Sequence, residues 1–230
     1  MREKIVYVEG ESDKIFLILL NEIKNLRINS KNIVSCKGNT KLFKEAEGIK
    51  EYLKAKDIYI VFDSDNQKRG TKIQEIKKQL QENPEEEHRL NDEEFNQIKI
   101  FLLPENDESQ HNPEYCELEH LLEKMAKESE NKEFYTSFHK HYNALCDKFE
   151  EINQNQTPIR REQKKRTKCW LQPYITLSIC LKRGFIPCGM DDLDPTEATT
   201  KIAEQRNTEI LEKLFNFDLT ELQALIDFLR

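Results

Sequence analysis

The residues of this 230-residue chain best suited to chemistry are carboxylates placed directly behind short apolar runs. Glu9 follows Ile5-Val6-Tyr7-Val8, and Asp63 and Asp65 follow Ile58-Tyr59-Ile60-Val61-Phe62. Two residues apart in extended chain, Asp63 and Asp65 send their side chains to one side, where both can approach the same ion. A donor set of oxygens alone, with no Cys or His interleaved, favours Mg²⁺ or Mn²⁺ over zinc or copper. A single acid at a strand end ordinarily caps the next helix or stays in water. Three of them behind two strands, one within the tight sequence Val8-Glu9-Gly10, make a metal site the stronger expectation. Glu105, Asp107, Glu117 and Glu119 follow a later apolar run, and no Ser-His-Asp or Cys-His arrangement competes.

Those acids need a frame. Four runs, Lys4 to Val8, Asn32 to Cys36, Asp57 to Phe62 and Gln97 to Leu103, are short and rich in branched or aromatic residues, and read as strands. Between the first two, Ile15, Phe16, Leu19, Leu20, Ile23 and Leu26 lie on one face of a helix starting near Ser12 or Asp13. Leu42, Phe43, Ala46, Ile49 and Leu53 repeat the pattern before the third strand. After it, Thr71 and Gln74 have the spacing of a capping box, Ile73, Ile76 and Leu80 form the stripe, and Pro84 marks the limit. Strands alternating with helices predict an α/β fold, a four-stranded parallel sheet flanked by helices. In such sheets ligands bind beyond the carboxyl ends of the strands, where Glu9, Asp63 and Asp65 stand. Past Pro104 the chain reads as mostly helical: 114–129, then a stripe from Phe134 to Ile152, a segment near Trp170 to Leu181, and C-terminal helices with Thr220 and Gln223 at capping-box spacing. This divides the chain into 1–125 and a helical extension, 126–230.

Composition agrees with a helix-rich globular protein: 34% charged and 37% hydrophobic residues, with six glycines and seven prolines. The apolar run after Met1 is too short for a signal peptide or membrane span, so a cytoplasmic location is expected. Six cysteines (Cys36, Cys116, Cys146, Cys169, Cys180, Cys188) form no C-x-x-C pair, which predicts reduced thiols. The net charge of -7 opposes contact with a polyanion, yet 160–168 (RREQKKRTK) places Arg160, Arg161, Lys164, Lys165, Arg166 and Lys168 within nine residues. Lys37 and Gly38, in the turn after the second strand, are further candidates for phosphate contact, Gly38 through its backbone amide and Lys37, like Lys41, through charge. A plain left-handed turn accounts for Gly38 equally well. His139 and His141 alternate along a helix and read as surface residues.

VEGESD at 8–13 and VFDSD at 61–65, each behind an apolar strand, resemble the paired signature motifs of Toprim domains over roughly the first half of the chain. Within that superfamily the sequence is more similar to small stand-alone proteins related to the overcoming-lysogenization-defect (OLD) nucleases than to topoisomerases or primases. Glu9 and Asp13 share their E-x-x-x-D spacing, Asp63 and Asp65 their D-x-D, and Cys116 to Leu122 (CELEHLL) resembles their acidic helix start. Glu117 departs from the small or polar residue usual two positions before the family glutamate, and Glu119 with Glu123 offers an alternative pair one helical turn apart. The resemblance implies Glu9 as metal ligand or general base, Asp63 and Asp65 as Mg²⁺ ligands, and Asp13 and Glu119 as completing a two-ion site. It also implies a lysine after the acidic helix that stabilises charge on the phosphate; Lys164, Lys165 and Lys168 are the candidates, with Lys168 preferred because it directly precedes the apolar Cys169-Trp170-Leu171.

The implied activity is Mg²⁺- or Mn²⁺-dependent hydrolysis of phosphodiester bonds in DNA or RNA, with defence against foreign nucleic acid as a role that relatives suggest. The alternative is a non-catalytic module in which the metal organises a nucleic-acid-binding or regulatory surface. No G-x-x-x-x-G-K-[ST] loop occurs, so any ATPase would be a separate partner.

Overall fold

The computed structural model describes residues 2–104, 106, 115–153, 170, 171, 173–175, 177 and 205–230. Its first unit comprises Met1–Leu118 with Thr220–Arg230, and its second Glu119–Leu219. The first unit is built on strands β1 (Lys4–Val8), β2 (Ile33–Ser35), β3 (Asp57–Asp63) and β4 (Lys99–Leu103). They form one parallel sheet in the order β2-β1-β3-β4, with Val8 beside Val61 and Asp63 beside Leu103. Four of the five residues of β1 and five of the seven of β3 are apolar and buried, as a sheet covered on both faces requires.

Each strand expected from sequence forms, shortened to Ile33–Ser35 and Lys99–Leu103 in two cases and extended to include Asp63 in a third. Helix α1 (Glu11–Lys24) joins β1 to β2 and ends at Asn25 in the left-handed conformation (φ 49°). A short 3-10 turn (Leu42–Glu45) and α2 (Ala46–Tyr52) precede β3, and α3 (Arg69–Gln81) and the single-turn α4 (Asp92–Phe95) precede β4.

Right-handed crossovers direct α1 to one face of this strand order and α2 and α3 to the other. The side chains show the division. Ile5, Tyr7, Ile58, Ile60, Phe62 and Leu102 share a core with Leu42, Ala46, Ile49, Ile76 and Leu80. On the opposite face the final helix, α8 (Thr220–Leu229), sets Phe228 with its ring 5.3 Å from those of both Tyr59 and Phe101. The Lys4 ammonium donates to the Arg230 carbonyl (2.6 Å) and also to that of Leu229, tying the end of α8 to the start of β1.

Three local expectations are corrected. Thr71 does not cap α3, which begins at Arg69 after Lys68. A turn closed by the Gln67 amide on the Ser64 carbonyl (2.9 Å), with Asp65 and Asn66 at φ 51° and 62°, reverses the chain early enough for the helix to start there. Thr220 lies inside α8, and Gln223 gives its side-chain amide to Asp227 (2.7 Å) instead. The segment from Leu42 is not one continuous helix: it opens as a 3-10 turn in which the Ala46 amide bonds the Phe43 carbonyl, whose second acceptor position takes the Asn83 side-chain amide. The capping box that does form, Asn91 with Glu94 at 2.8 Å in both directions, starts α4.

The second unit contains most of α5 (Leu118–Lys127), with α6 (Lys132–Asn153) and α7 (Gln205–Leu214). Tyr135 lies at its centre, with the rings of Trp170 and Tyr174 at 5.4 and 5.6 Å. The Asn216 amide donates to the Met125 carbonyl (2.9 Å), joining the end of α7 to α5. The expected boundary near residue 125 falls within α5, while α8 belongs to the sheet unit. No helix among the described residues is long and apolar enough to cross a membrane.

Candidate metal centre

Strand β1 lies between β2 and β3, and the chain leaves β1 toward one face and β3 toward the other. The crevice between their carboxyl ends is the switch point at which open α/β sheets bind ligands. Glu9 directly follows β1 and Asp63 ends β3. One carboxylate oxygen from each of Glu9, Asp63 and Asp65 lies within 4.8 Å of the others. Oxygens that close fit a small divalent cation, and all are carboxylate oxygens, the donor class suited to Mg²⁺ or Mn²⁺. A second group, Glu85, Glu87 and His88, lies on a surface turn, where His88 is shared among Glu47, Glu85 and Glu87.

The backbone fixes these acids. Asp63 is 5% exposed, and its Oδ1 accepts the Leu118 amide (2.9 Å). The Ser64 amide donates to the Leu103 carbonyl (3.0 Å), while the Asp65 amide and Ser64 hydroxyl donate to that of Cys116 (both 3.2 Å). Asp65 takes the left-handed conformation, which its short polar side chain tolerates. On the β1 side the Glu9 carbonyl accepts the Gly38 amide (2.8 Å). Gly38 has φ 129° and spends its amide on that bond, forming a left-handed turn that closes on the site. Lys37 beside it is exposed, also with positive φ (60°). Because an L side chain is strained there, Gly38→Ala is expected to cost roughly 1–3 kcal/mol of stability, measured by urea unfolding, and an unchanged midpoint would count against it.

Asp13 is not in the three-carboxylate group. It is buried and turned back along α1, where its Oδ2 accepts the Gly10 amide (2.9 Å). A side chain at position 10 would place a Cβ 3.2 Å from that oxygen, which is why glycine suits the turn. Glu119 lies in the first turn of α5, immediately after Leu118 and within the helical unit. Glu123 is occupied in that unit by the Tyr135 hydroxyl (3.1 Å), Lys127 (2.8 Å) and, at 3.9 Å, His139. Burial pushes its carboxyl up, but these partners outweigh it and hold the group below the ordinary carboxylate value. His139 stacks on Tyr135 (5.5 Å) and is only partly exposed, whereas His141 is a surface residue. Arg160, Arg161, Lys164, Lys165, Arg166, Lys168, Glu105 and Asp107 lie outside the described residues.

Two thiols border the site without nucleophilic character. Burial first, then Glu45, Glu9 and Asp13, pushes the Cys36 thiol far up. Burial and the charge of Glu117 raise Cys116. Both are free cysteines in the protonated state.

The sequence pattern did not single out Lys72. Its side chain is 3% exposed and its ammonium pairs with Asp65 Oδ2, to which the Asn39 side chain also donates (3.0 Å). Lys72, Ile76 and Leu80 are the buried residues of α3, spaced four apart on one stripe. A lysine on an apolar stripe seven residues past a D-x-D pair was the available signal. Gln79, from the same helix, donates to the Asn39 carbonyl (2.7 Å) and steadies the second donor.

No curated protein and no solved structure matches the chain. A family model does match, over residues 3–174, and with well over half its length covered the chain belongs to DUF3226, a family of proteins of unknown function.

Proposed function

We propose that the chain is a divalent-metal-dependent nuclease acting on DNA or RNA. The observation that carries this reading is the convergence of Glu9, Asp63 and Asp65 within 4.8 Å beyond the carboxyl ends of β1 and β3. The resemblance of VEGESD and VFDSD to Toprim motifs of OLD-type nucleases supports it, since the converging acids are the ones those motifs supply. Glu9, Asp63 and Asp65 would hold the ion. Bound there, Mg²⁺ supplies Lewis-acid stabilisation of phosphate charge and lowers the pKa of water.

This chain's own residues supply position and charge. Asp63 is oriented by the Leu118 amide and Asp65 by Lys72 and Asn39, so the carboxylates are set before an ion arrives. Glu9, between the ends of two strands, is placed as ligand or as proton acceptor. The segment 160–168, the densest basic stretch of the sequence, is the proposed phosphate track of an otherwise acidic protein.

Incubation of plasmid DNA and of single-stranded RNA with the protein and Mg²⁺ or Mn²⁺ is expected to produce cleavage that EDTA stops. Nucleic-acid binding without cleavage in either metal would replace the nuclease reading with that of a non-catalytic binding module.

A further inference from the structure

We propose that Lys72 is a resident cation of the carboxylate centre, so that the free protein takes one divalent ion rather than two. This rests on the metal-binding reading above and specifies its stoichiometry. Three carboxylates with oxygens within 4.8 Å of one another repel strongly unless cations are supplied. Lys72 supplies one from the protein itself: its side chain is 3% exposed and its ammonium is paired with Asp65. A lysine is held in so dry a place only against a compensating charge, and the pair leaves the three acids with a net charge of minus two. One divalent ion brings that to zero. A second would enter a centre already neutral and face the Lys72 ammonium, so it requires additional negative charge such as a substrate phosphate.

The surroundings hold this arrangement in place. Lys72 projects from the buried stripe of α3, anchored by Ile76 and Leu80. Asn39 donates to the same oxygen of Asp65 and is itself braced by Gln79. Two further acids, Asp13 and Glu117, are buried outside the three-carboxylate group, and Asp13 is engaged with the Gly10 amide at the start of α1, where the helix dipole offsets its charge.

Calorimetric titration of the intact chain with Mn²⁺, without nucleic acid, tests the proposal directly. Wild-type protein is expected to bind one ion. Lys72→Met removes a cation beside the ion and is expected to tighten binding at least about tenfold or to admit a second ion. Lys72→Arg, which keeps the charge, is expected to keep the stoichiometry of one. Although it binds the ion more tightly, Lys72→Met is expected to cleave more slowly, because the fixed positive charge is lost. Two ions bound to wild-type protein would overturn the proposal, and this measurement needs no variant to fold. A single ion bound with weaker or unchanged Mn²⁺ affinity in folded Lys72→Met would also overturn it, assigning the lysine a structural role. Absence of Mn²⁺ binding to wild-type protein would instead overturn the metal centre itself, and the proposal with it.

Discussion

Asp63→Asn is expected to lower Mg²⁺-dependent cleavage by about 10³-fold or more, roughly 4 kcal/mol of barrier, with the fold retained. The two halves of this expectation have separate causes. Asparagine keeps an oxygen where Asp63 Oδ1 accepts the Leu118 amide, so the hydrogen bond that ties the 115–118 segment to β3 survives. The charge is lost, and with it one of three carboxylates offered to the ion. Glu9→Gln and Asp65→Asn are expected to lower cleavage as well, but Asp65→Asn also strips the buried Lys72 of its counter-charge and should be the less stable of the set. Single-turnover cleavage beside urea unfolding separates the effects. A wild-type rate in Asp63→Asn would remove this centre from the chemistry.

The largest loss of stability is expected one residue earlier. Phe62 is fully buried in the core between the sheet and α2 and α3, and its strand carries Asp63 at the end. Truncation to alanine leaves a cavity the size of a phenyl ring, which neighbours such as Ile60 and Ile76 fill only in part. The expected cost is about 3–5 kcal/mol. Typical domains have only about 5–15 kcal/mol in total, so Phe62→Ala should shift the urea midpoint substantially and leave the site acids less well ordered. A loss below about 1 kcal/mol would mean that the two layers collapse around the gap.

The sheet was legible in the sequence because its strands are buried on both faces and therefore continuously apolar. Lys4–Val8 and Asp57–Asp63 stand out for this reason, and the acids behind them announce the centre. Helix starts were less legible. Capping-box spacing at Thr71 and Thr220 competes with tertiary turns, and the turn through Asp65 and Asn66 decided where α3 begins.

Lys72 and Asn39 were hidden because neither belongs to a local motif; only the folded chain brings them to Asp65. The Glu119–Glu123 pair shows the opposite failure. A four-residue spacing places two carboxylates on one helical face, but it does not reveal that Glu123 is taken by Tyr135 and Lys127.

The return of α8 to the sheet has a consequence for the order of events during synthesis. When residue 118 has left the ribosome, all four strands exist, but Phe228, which covers Tyr59 and Phe101, does not. Residues 119–219 must be added first, roughly 5–20 s at ordinary rates of translation. For that interval one face of the nascent sheet is an aromatic surface awaiting its cover, open to the associations that chaperones prevent. The Lys4 contacts with the Leu229 and Arg230 carbonyls close the interval, joining the start of β1 to the end of α8.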